Sequence, residues 1–90
     1  MNNLHPKFRD RSGRLTPYAL ACGYVEQDEH EGIRTTLWLE HGCLHVRQHD
    51  HSRGERIFWK CPENLKEARS IFDRAKLSAR ASASASTLAH

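Results

Sequence analysis

IRTTLWLEHGCLHVRQH, residues 33–49, is the stretch that decides the fold of this chain. It contains two runs rich in β-branched and aromatic residues that alternate between apolar and polar side chains, as half-buried strands do. His41-Gly42 separates the runs, and a two-residue loop ending in glycine is typical of a tight hairpin turn. With that turn, apolar residues of the two strands meet on one face, as the pairs Leu39–Leu44 and Leu37–Val46.

Further elements are predicted on the N-terminal side of this hairpin. Thr16 and Pro17 suit the cap and the first position of a short helix, and Gly23 suits its left-handed end. Residues 24–27 are a strand candidate. The acid-rich residues 28–32 that follow are expected to form a loop.

On the C-terminal side, residues 56–60 (RIFWK) predict another strand and residues 62–77 predict a helix with an apolar stripe. The predicted fold class is therefore α+β. A small antiparallel sheet of three to four strands packs against the C-terminal helix, and a short N-terminal helix precedes it. The predicted core consists of Leu37, Leu39, Leu44, Val46, Ile57, Leu65, Ala68 and Phe72.

The two ends of the chain differ in composition from the part between them. We predict a single folded domain over residues 15–77. Residues 78–90 are rich in serine and alanine, which predicts a disordered tail. Residues 1–14 are expected to be a flexible basic arm, because Pro6 and Gly13 discourage regular structure. The cations of this arm are Lys7, Arg9, Arg11 and Arg14.

The bulk composition limits the classes of function. A chain of 90 residues forms one thin core, with little room for a deep active-site cleft. Its net charge of +3 fits an acidic partner without requiring one. Three widely spaced cysteines favour reduced thiols, and hence a cytoplasmic location, over a disulfide framework. The first residues have no apolar signal-peptide region, and no run is long enough to span a membrane, so we expect no membrane association.

The hairpin register also assigns residues to the second, outer face of the sheet. If Ile57 and Trp59 join the core, strict alternation along RIFWK places Arg56, Phe58 and Lys60 on the outer face. A solvated sheet face is normally polar, and large aromatic residues on it call for a cover or a partner. The predicted binding face consists of Arg34, Thr36, Trp38, His45, Arg47, His49, Phe58 and Lys60.

The histidine-rich segment raises the alternative of a small metal-binding protein. The candidate ligands would be Cys43, His45, His49, His51 and Cys61. Zinc sites usually show closely spaced ligand pairs, and that pattern is missing here. We therefore predict no metal and no cofactor.

Catalytic motifs are equally weak in this sequence. It contains no glycine-rich phosphate loop, nucleophile elbow or paired-carboxylate signature. Cysteine and histidine together could in principle make a nucleophile pair, with Cys43 the most plausible reactive thiol. We predict no catalytic residues and no enzyme activity.

Two segments carry a resemblance to known proteins. FRDRSGRLTPYALACGYVE (residues 8–26) and FWKCPENLKEARSIF (residues 58–72) resemble small uncharacterised accessory proteins encoded by bacteriophages and prophages. The resemblance implies a host bacterial cytoplasm and a role in binding a host or phage macromolecule. Separately, a three-stranded sheet followed by a helix resembles sheet-reading DNA-binding domains, such as the arm-binding domains of integrases, at the level of fold only.

The leading functional hypothesis is therefore a non-enzymatic binding module that uses the basic and aromatic sheet face. Its partner is either a protein or a nucleic acid. A sheet-reading DNA-binding protein is the first alternative, because arginine and aromatic residues on a sheet can contact phosphates and bases. An exposed edge strand would also allow pairing across a two-fold axis, so a homodimer is a further alternative.

Overall fold

Four antiparallel strands form one sheet, and their order in the sheet is their order in the sequence. The computed structural model describes residues 7–88. The strands are β1 (Glu26–His30), β2 (Ile33–Glu40), β3 (Cys43–Asp50) and β4 (Glu55–Lys60), and the helices are α1 (Pro17–Ala21) and α2 (Leu65–Leu88). This arrangement confirms the predicted α+β fold class, and the sheet has four strands, the upper number of the predicted three to four.

The central hairpin has the predicted register. Leu37 lies opposite Val46, and Leu39 lies opposite Leu44. Both turn residues take the left-handed conformation, with φ values of 53° at His41 and 77° at Gly42. Two successive positive φ values match the right-handed twist of the flanking strands, which is why glycine is favoured here.

The acid-rich residues 28–32 are the first point at which the structure differs from the expectation. Asp28 to His30 belong to β1, and only Glu31 and Gly32 form the turn to β2. The loop prediction was wrong because the strand buries no apolar stripe. Its helix-side positions carry acids whose charges are balanced by arginines from other elements: Glu26 pairs with Arg14, and Asp28 pairs with Arg80.

Both helices pack on the same face of the sheet. The buried cluster contains Leu15, Ala19 and Leu20 from the α1 region together with Leu37, Val46, Ala68 and Phe72. Of the predicted core, Leu39, Leu44 and Leu65 are partly buried against this cluster. Ile57 was wrongly assigned to the core, since it is 49% exposed.

Strand β4 is irregular, and this irregularity explains the error at Ile57. The pairing of β3 with β4 shifts between Gln48 and His49: Gln48 lies opposite Phe58, whereas His49 lies opposite Arg56. Ile57 is therefore the extra residue of a β-bulge, which breaks the strict alternation of side chains. Phe58 consequently packs against the core.

Lys60 is the second residue of β4 assigned to the wrong face. It occupies a register position opposite Val46, whose side chain is buried on the helix side. Both Phe58 and Lys60 therefore have to be removed from the predicted outer face. Trp59, which lies opposite Arg47, takes their place on it.

Helix α2 begins and ends later than predicted. Asn64 Oδ1 accepts a hydrogen bond from the Glu67 amide at 2.8 Å, so Asn64 caps the helix in place of the expected start at residue 62. The helix continues past Leu77 to Leu88, through most of the segment predicted to be a disordered tail. Ala79 is buried, so a small residue of that segment packs against the fold. Residues 89 and 90 lie outside the described residues.

Within residues 7–88, no helix combines the length and the apolar character that crossing a membrane would require.

The segment predicted to be a flexible arm is attached to the domain from residue 7 onward. Asp10 Oδ1 accepts hydrogen bonds from the Ser12 amide and from the Ser12 hydroxyl, which closes a tight turn. Arg9 and Leu15 form a β-bridge, and the Phe8 ring lies 5.0 Å from the Tyr24 ring. Residues 1–6 of the predicted arm lie outside the described residues.

Candidate functional site

The outer face is the face of the sheet opposite the two helices. The register places Arg34 opposite His49, Thr36 opposite Arg47 and Trp38 opposite His45. These residues alternate along β2 and β3 with residues whose side chains are buried on the helix side. In the part of the chain that the structure describes, the helices and Phe8 belong to the core cluster on the other side, and no element covers this face.

Trp38, His45 and Trp59 form an aromatic cluster in the middle of the outer face. The Trp38 and His45 rings are stacked, with centroids 5.0 Å apart and planes inclined by 16°. The Trp59 ring centroid lies 5.8 Å from that of Trp38. Trp59 Nε1 donates a hydrogen bond to His45 Nδ1 at 3.2 Å, and Trp38 Nε1 donates to Glu40 Oε1 at 3.0 Å. These bonds fix the orientation of both indole rings.

Two arginines lie against the aromatic cluster. The Arg47 guanidinium lies 5.5 Å from the Trp38 ring and 5.7 Å from the Trp59 ring. The Arg56 guanidinium lies 5.6 Å from the Trp59 ring. These distances are within the range of cation–π attraction. The cluster is therefore positively charged as well as aromatic.

The arginines of this face differ in whether their charge is balanced. Arg34 forms an ion pair of 3.6 Å with Glu29. Within residues 7–88, Arg47 and Arg56 have neither an ion pair nor a hydrogen-bonded acceptor. Their N–H donors are thus available to an acceptor from another molecule.

The bulge in β4 is what adds Arg56 to this surface. In a regular strand Arg56 and Phe58 would point to the same side, and Arg56 would lie on the helix side with Phe58. The extra residue at Ile57 places Arg56 opposite His49, on the side of Trp59. Bulges commonly redirect a side chain in this way.

The histidines and cysteines that were considered as metal ligands do not all lie around one point. The His49 and His51 rings are 4.5 Å apart, whereas His45 contacts Cys61, with 3.4 Å between Nδ1 and Sγ. Among the residues that the structure describes, no group of three or more histidine, cysteine, aspartate or glutamate side chains is placed to hold a metal ion. Cys43 is exposed at the start of β3. The absence of a metal site stays a prediction.

Six of the eight residues predicted for the binding face lie on the outer face: Arg34, Thr36, Trp38, His45, Arg47 and His49. The sequence reasoning placed Arg56 on the outer face, by an alternation that the bulge breaks, and it missed Trp59 as a member of this surface. A strand of five residues with apolar side chains at three successive positions gives no signal for a bulge, so periodicity alone could not show that Trp59 lies on the outer face. We refer to one set of residues on this face as the outer-face site: Trp38, His45, Arg47, Arg56 and Trp59.

The cations predicted for the basic arm lie elsewhere. Arg14 forms ion pairs with Glu26 at 2.6 Å and with Asp73 at 3.2 Å, on the helix side. Burial lowers the pKa of Arg14, but its hydrogen bonds to these two carboxylates outweigh that effect and raise the pKa above its ordinary value. Arg9 donates to the Gly13 carbonyl at 2.6 Å, and Lys7 lies over the Tyr18 ring. Arg11 is exposed. In residues 7–14, Lys7, Arg9 and Arg14 thus contact the helix side or the arm itself and not the outer-face site.

Comparisons of the chain with protein-family models, with curated proteins and with solved structures gave no match.

Proposed function

We propose that this protein is a non-enzymatic binding module that contacts a macromolecule through the outer-face site. The observation that carries the proposal is the combination of two tryptophans with two unpaired guanidiniums on a sheet face that no described element covers. Tryptophan and arginine are the residues that most often dominate the binding energy of an interface.

The energetics of the surface support this proposal. A solvated sheet face is usually built from polar residues, because exposing large apolar side chains to water gains nothing for the fold. Trp59 is nevertheless 45% exposed, and its neighbour Ile57 is 49% exposed. A partner that covered this patch would remove apolar surface from water at about 25 cal/mol per Å².

The Cys61–His45 contact supports a binding role over a catalytic one. A histidine that activates a thiol must accept its proton on a free ring nitrogen. The His45 Nδ1 atom that faces Cys61 Sγ already accepts a hydrogen bond from Trp59 Nε1. The contact therefore orients the aromatic cluster and makes a poor nucleophile–base pair.

The setting that we propose follows from the resemblance to phage and prophage proteins. We place the protein in the cytoplasm of a host bacterium, as an accessory protein that binds a host or phage macromolecule. Exposed, unpaired thiols at Cys22, Cys43 and Cys61 are compatible with a reducing compartment.

Affinity capture from a bacterial lysate, with and without nuclease, tests the proposal. Trp59→Ala and Arg47→Ala should each reduce capture by about 30-fold, the equivalent of roughly 2 kcal/mol. The matched controls are Tyr18→Ala on α1, whose side chain is similarly exposed at 53%, and Arg53→Ala in the turn after β3. Capture that was unchanged in the first pair, or equally reduced in the controls, would contradict the proposal.

A further inference from the structure

We infer that the outer-face site binds single-stranded nucleic acid, with unpaired bases stacking on the exposed tryptophan surface and backbone phosphates contacting Arg47 and Arg56. This inference rests on the proposed function and names the partner of the same site.

The aromatic cluster supplies a stacking platform. The indole of Trp59 is 45% exposed and is held in one orientation by its hydrogen bond to His45. A flat ring that is fixed before binding loses little conformational freedom when a base stacks on it. Stacking of a base on an aromatic side chain contributes about 1–3 kcal/mol and tolerates any base, because every base has a π face. In a duplex those faces are already covered by neighbouring base pairs, so the platform favours a single strand.

The two unpaired arginines supply the charge that a nucleic-acid backbone complements. Arg47 lies within cation–π distance of both tryptophan rings, and Arg56 lies within that distance of Trp59. A guanidinium held beside a ring by cation–π attraction keeps its N–H donors, and those donors match the geometry of a phosphate. Bases on the rings and phosphates on the flanking guanidiniums can thus be contacted by the same short stretch of strand.

The acids Glu29 and Glu40 of this face pair with groups other than the two free arginines. Glu29 is paired with Arg34 on the β1 side. Glu40, at the end of the central hairpin, accepts the Trp38 indole hydrogen and lies 3.7 Å from His41. The two free arginines thus lie on β3 and β4, beside the aromatic cluster that spans β2 to β4, and this is where we place the nucleic acid.

The size of the cluster sets the expected footprint. It spans β2 to β4, and neighbouring strands are about 4.8 Å apart, so it offers a platform roughly 10 Å wide. Sheet platforms of this kind stack about two or three bases. For two phosphate contacts, the logarithm of the affinity should fall with the logarithm of the salt concentration with a slope of about −1.4.

Intrinsic fluorescence gives a direct readout, because both tryptophans of the chain lie in the outer-face site. The probes are a deoxythymidine oligonucleotide of about 15 nucleotides, the duplex that it forms with its complement, and inorganic polyphosphate of equal charge. At about 0.1 M salt the single strand should quench the fluorescence and bind at least tenfold more tightly than the duplex. Polyphosphate should leave the fluorescence unchanged.

Variants locate the binding on this face. Anisotropy of the labelled oligonucleotide should show an affinity loss of tenfold or more for Trp59→Ala and a smaller loss for Trp59→Phe, which keeps an aromatic ring. Arg56→Ala should reduce the salt slope by about 0.7, since one phosphate contact is removed. Arg53→Ala, which removes an equal charge from the neighbouring turn, should leave the affinity and the slope unchanged.

The alkylation rates of two cysteines report where the oligonucleotide binds on the wild-type protein. Cys61 contacts His45 within the site, whereas Cys22 follows α1 on the helix side, and both thiols are exposed. Bound oligonucleotide should slow alkylation of Cys61 and leave that of Cys22 unchanged.

The possible outcomes separate this inference from the proposed function. Equal affinity for single strand, duplex and polyphosphate would overturn the inference, because charge alone would then explain the binding. A lack of oligonucleotide binding, combined with nuclease-resistant capture that depends on Trp59, would overturn the inference and leave the binding module in place with a protein partner. If the Trp59 and Arg56 substitutions left oligonucleotide binding unchanged, both the inference and the proposed function would be contradicted.

Discussion

The two faces of one sheet have opposite relations to the rest of the chain. On the helix side, Leu37 and Val46 are completely buried, and Gln48 is 4% exposed and donates two hydrogen bonds through Nε2. On the outer face, Trp38 and Arg47 contact one another and other side chains of the same face, such as Trp59. Both faces carry large side chains, but only the helix side is explained by folding. This contrast is the reason why we propose a partner for the outer face.

The sharpest test of this comparison is a pair of aromatic truncations. Phe72→Ala removes a ring that is 1% exposed at the centre of the core, which should reduce the free energy of unfolding by about 3–5 kcal/mol. Small domains have only about 5–15 kcal/mol in total, so this substitution should remove a large fraction of the stability. Trp59→Ala, on the other face, should change the free energy of unfolding by about 1 kcal/mol or less.

Urea unfolding followed by circular dichroism measures both variants. Similar losses for Phe72→Ala and Trp59→Ala would show that the aromatic cluster of the outer face is a second core. The distinction between the two faces would then disappear.

Two substitutions of polar residues test the same comparison, with smaller expected changes in the free energy of unfolding. Gln48 Nε2 donates to Thr35 Oγ1 at 3.0 Å and to the Ala75 carbonyl at 2.8 Å, and so ties β3 to both β2 and α2. Gln48→Met keeps the volume but removes the donor, which should cost about 1–3 kcal/mol. Arg47→Met at the adjacent position should stay within about 0.5 kcal/mol, since its guanidinium has no hydrogen-bonded partner in the described part of the chain.

Thermal unfolding of the two methionine variants gives the comparison directly. If Arg47→Met were the more destabilising change, the cation–π contacts of the outer face would have a structural role, and binding losses at Arg47 could no longer be assigned to a partner.

The sequence predicted the outer face as far as the hairpin register extended. His41-Gly42 fixed the pairing of β2 with β3, and every side-chain direction on those two strands follows from the period of two. The bulge at Ile57 is set by tertiary packing: Phe58 reaches the core, while Arg56 and Trp59 share the other face. Neither residue type nor spacing in RIFWK distinguishes that arrangement from a regular strand.

The errors in the N-terminal half have a different physical origin. Strand β1 was predicted too early, at residues 24–27, and its second half was taken for a loop. Its inward-facing positions are acids balanced by Arg14 and Arg80, and those partners lie 12 and 52 residues away in the sequence. The turn at Asp10 did have a local signal. The same pattern, an aspartate followed two residues later by serine, recurs at Asp50, and in both turns the carboxylate accepts the serine amide and hydroxyl.

The smallest predicted effect compares two ion pairs of adjacent β1 residues on opposite faces. On the helix side, Arg80 donates two hydrogen bonds of 3.0 Å to the carboxylate of Asp28. On the outer face, Glu29 and Arg34 approach only to 3.6 Å, and both side chains are more than one third exposed. The hydrogen bond from Arg80 is the main reason that the pKa of Asp28 is lowered, and the charges of Lys76 and His30 act in the same direction, whereas burial opposes them.

A lowered pKa in the folded state means that unfolding favours protonation of Asp28. Its contribution to stability is therefore present above the ordinary aspartate value of 3.8 and is lost as the pH falls through the lower folded-state value. At neutral pH, Asp28→Asn should cost about 1 kcal/mol or less. Between about pH 5 and pH 2 the difference between wild type and Asp28→Asn should shrink toward zero. The pKa values of Asp10 and Asp50 are lowered by hydrogen bonds from serine, so these carboxylates add to acid sensitivity in both proteins alike.

Melting temperatures measured across this pH range for wild type, Asp28→Asn and Glu29→Gln complete the test. Glu29→Gln should follow the wild-type curve throughout, because a long, exposed ion pair contributes little. A difference between wild type and Asp28→Asn that stayed constant down to pH 2 would show that the loss comes from packing and not from the charge of Asp28. A larger effect of Glu29→Gln would mean that electrostatics on the outer face stabilise the fold, and the arginines of that face would then be explained without a partner.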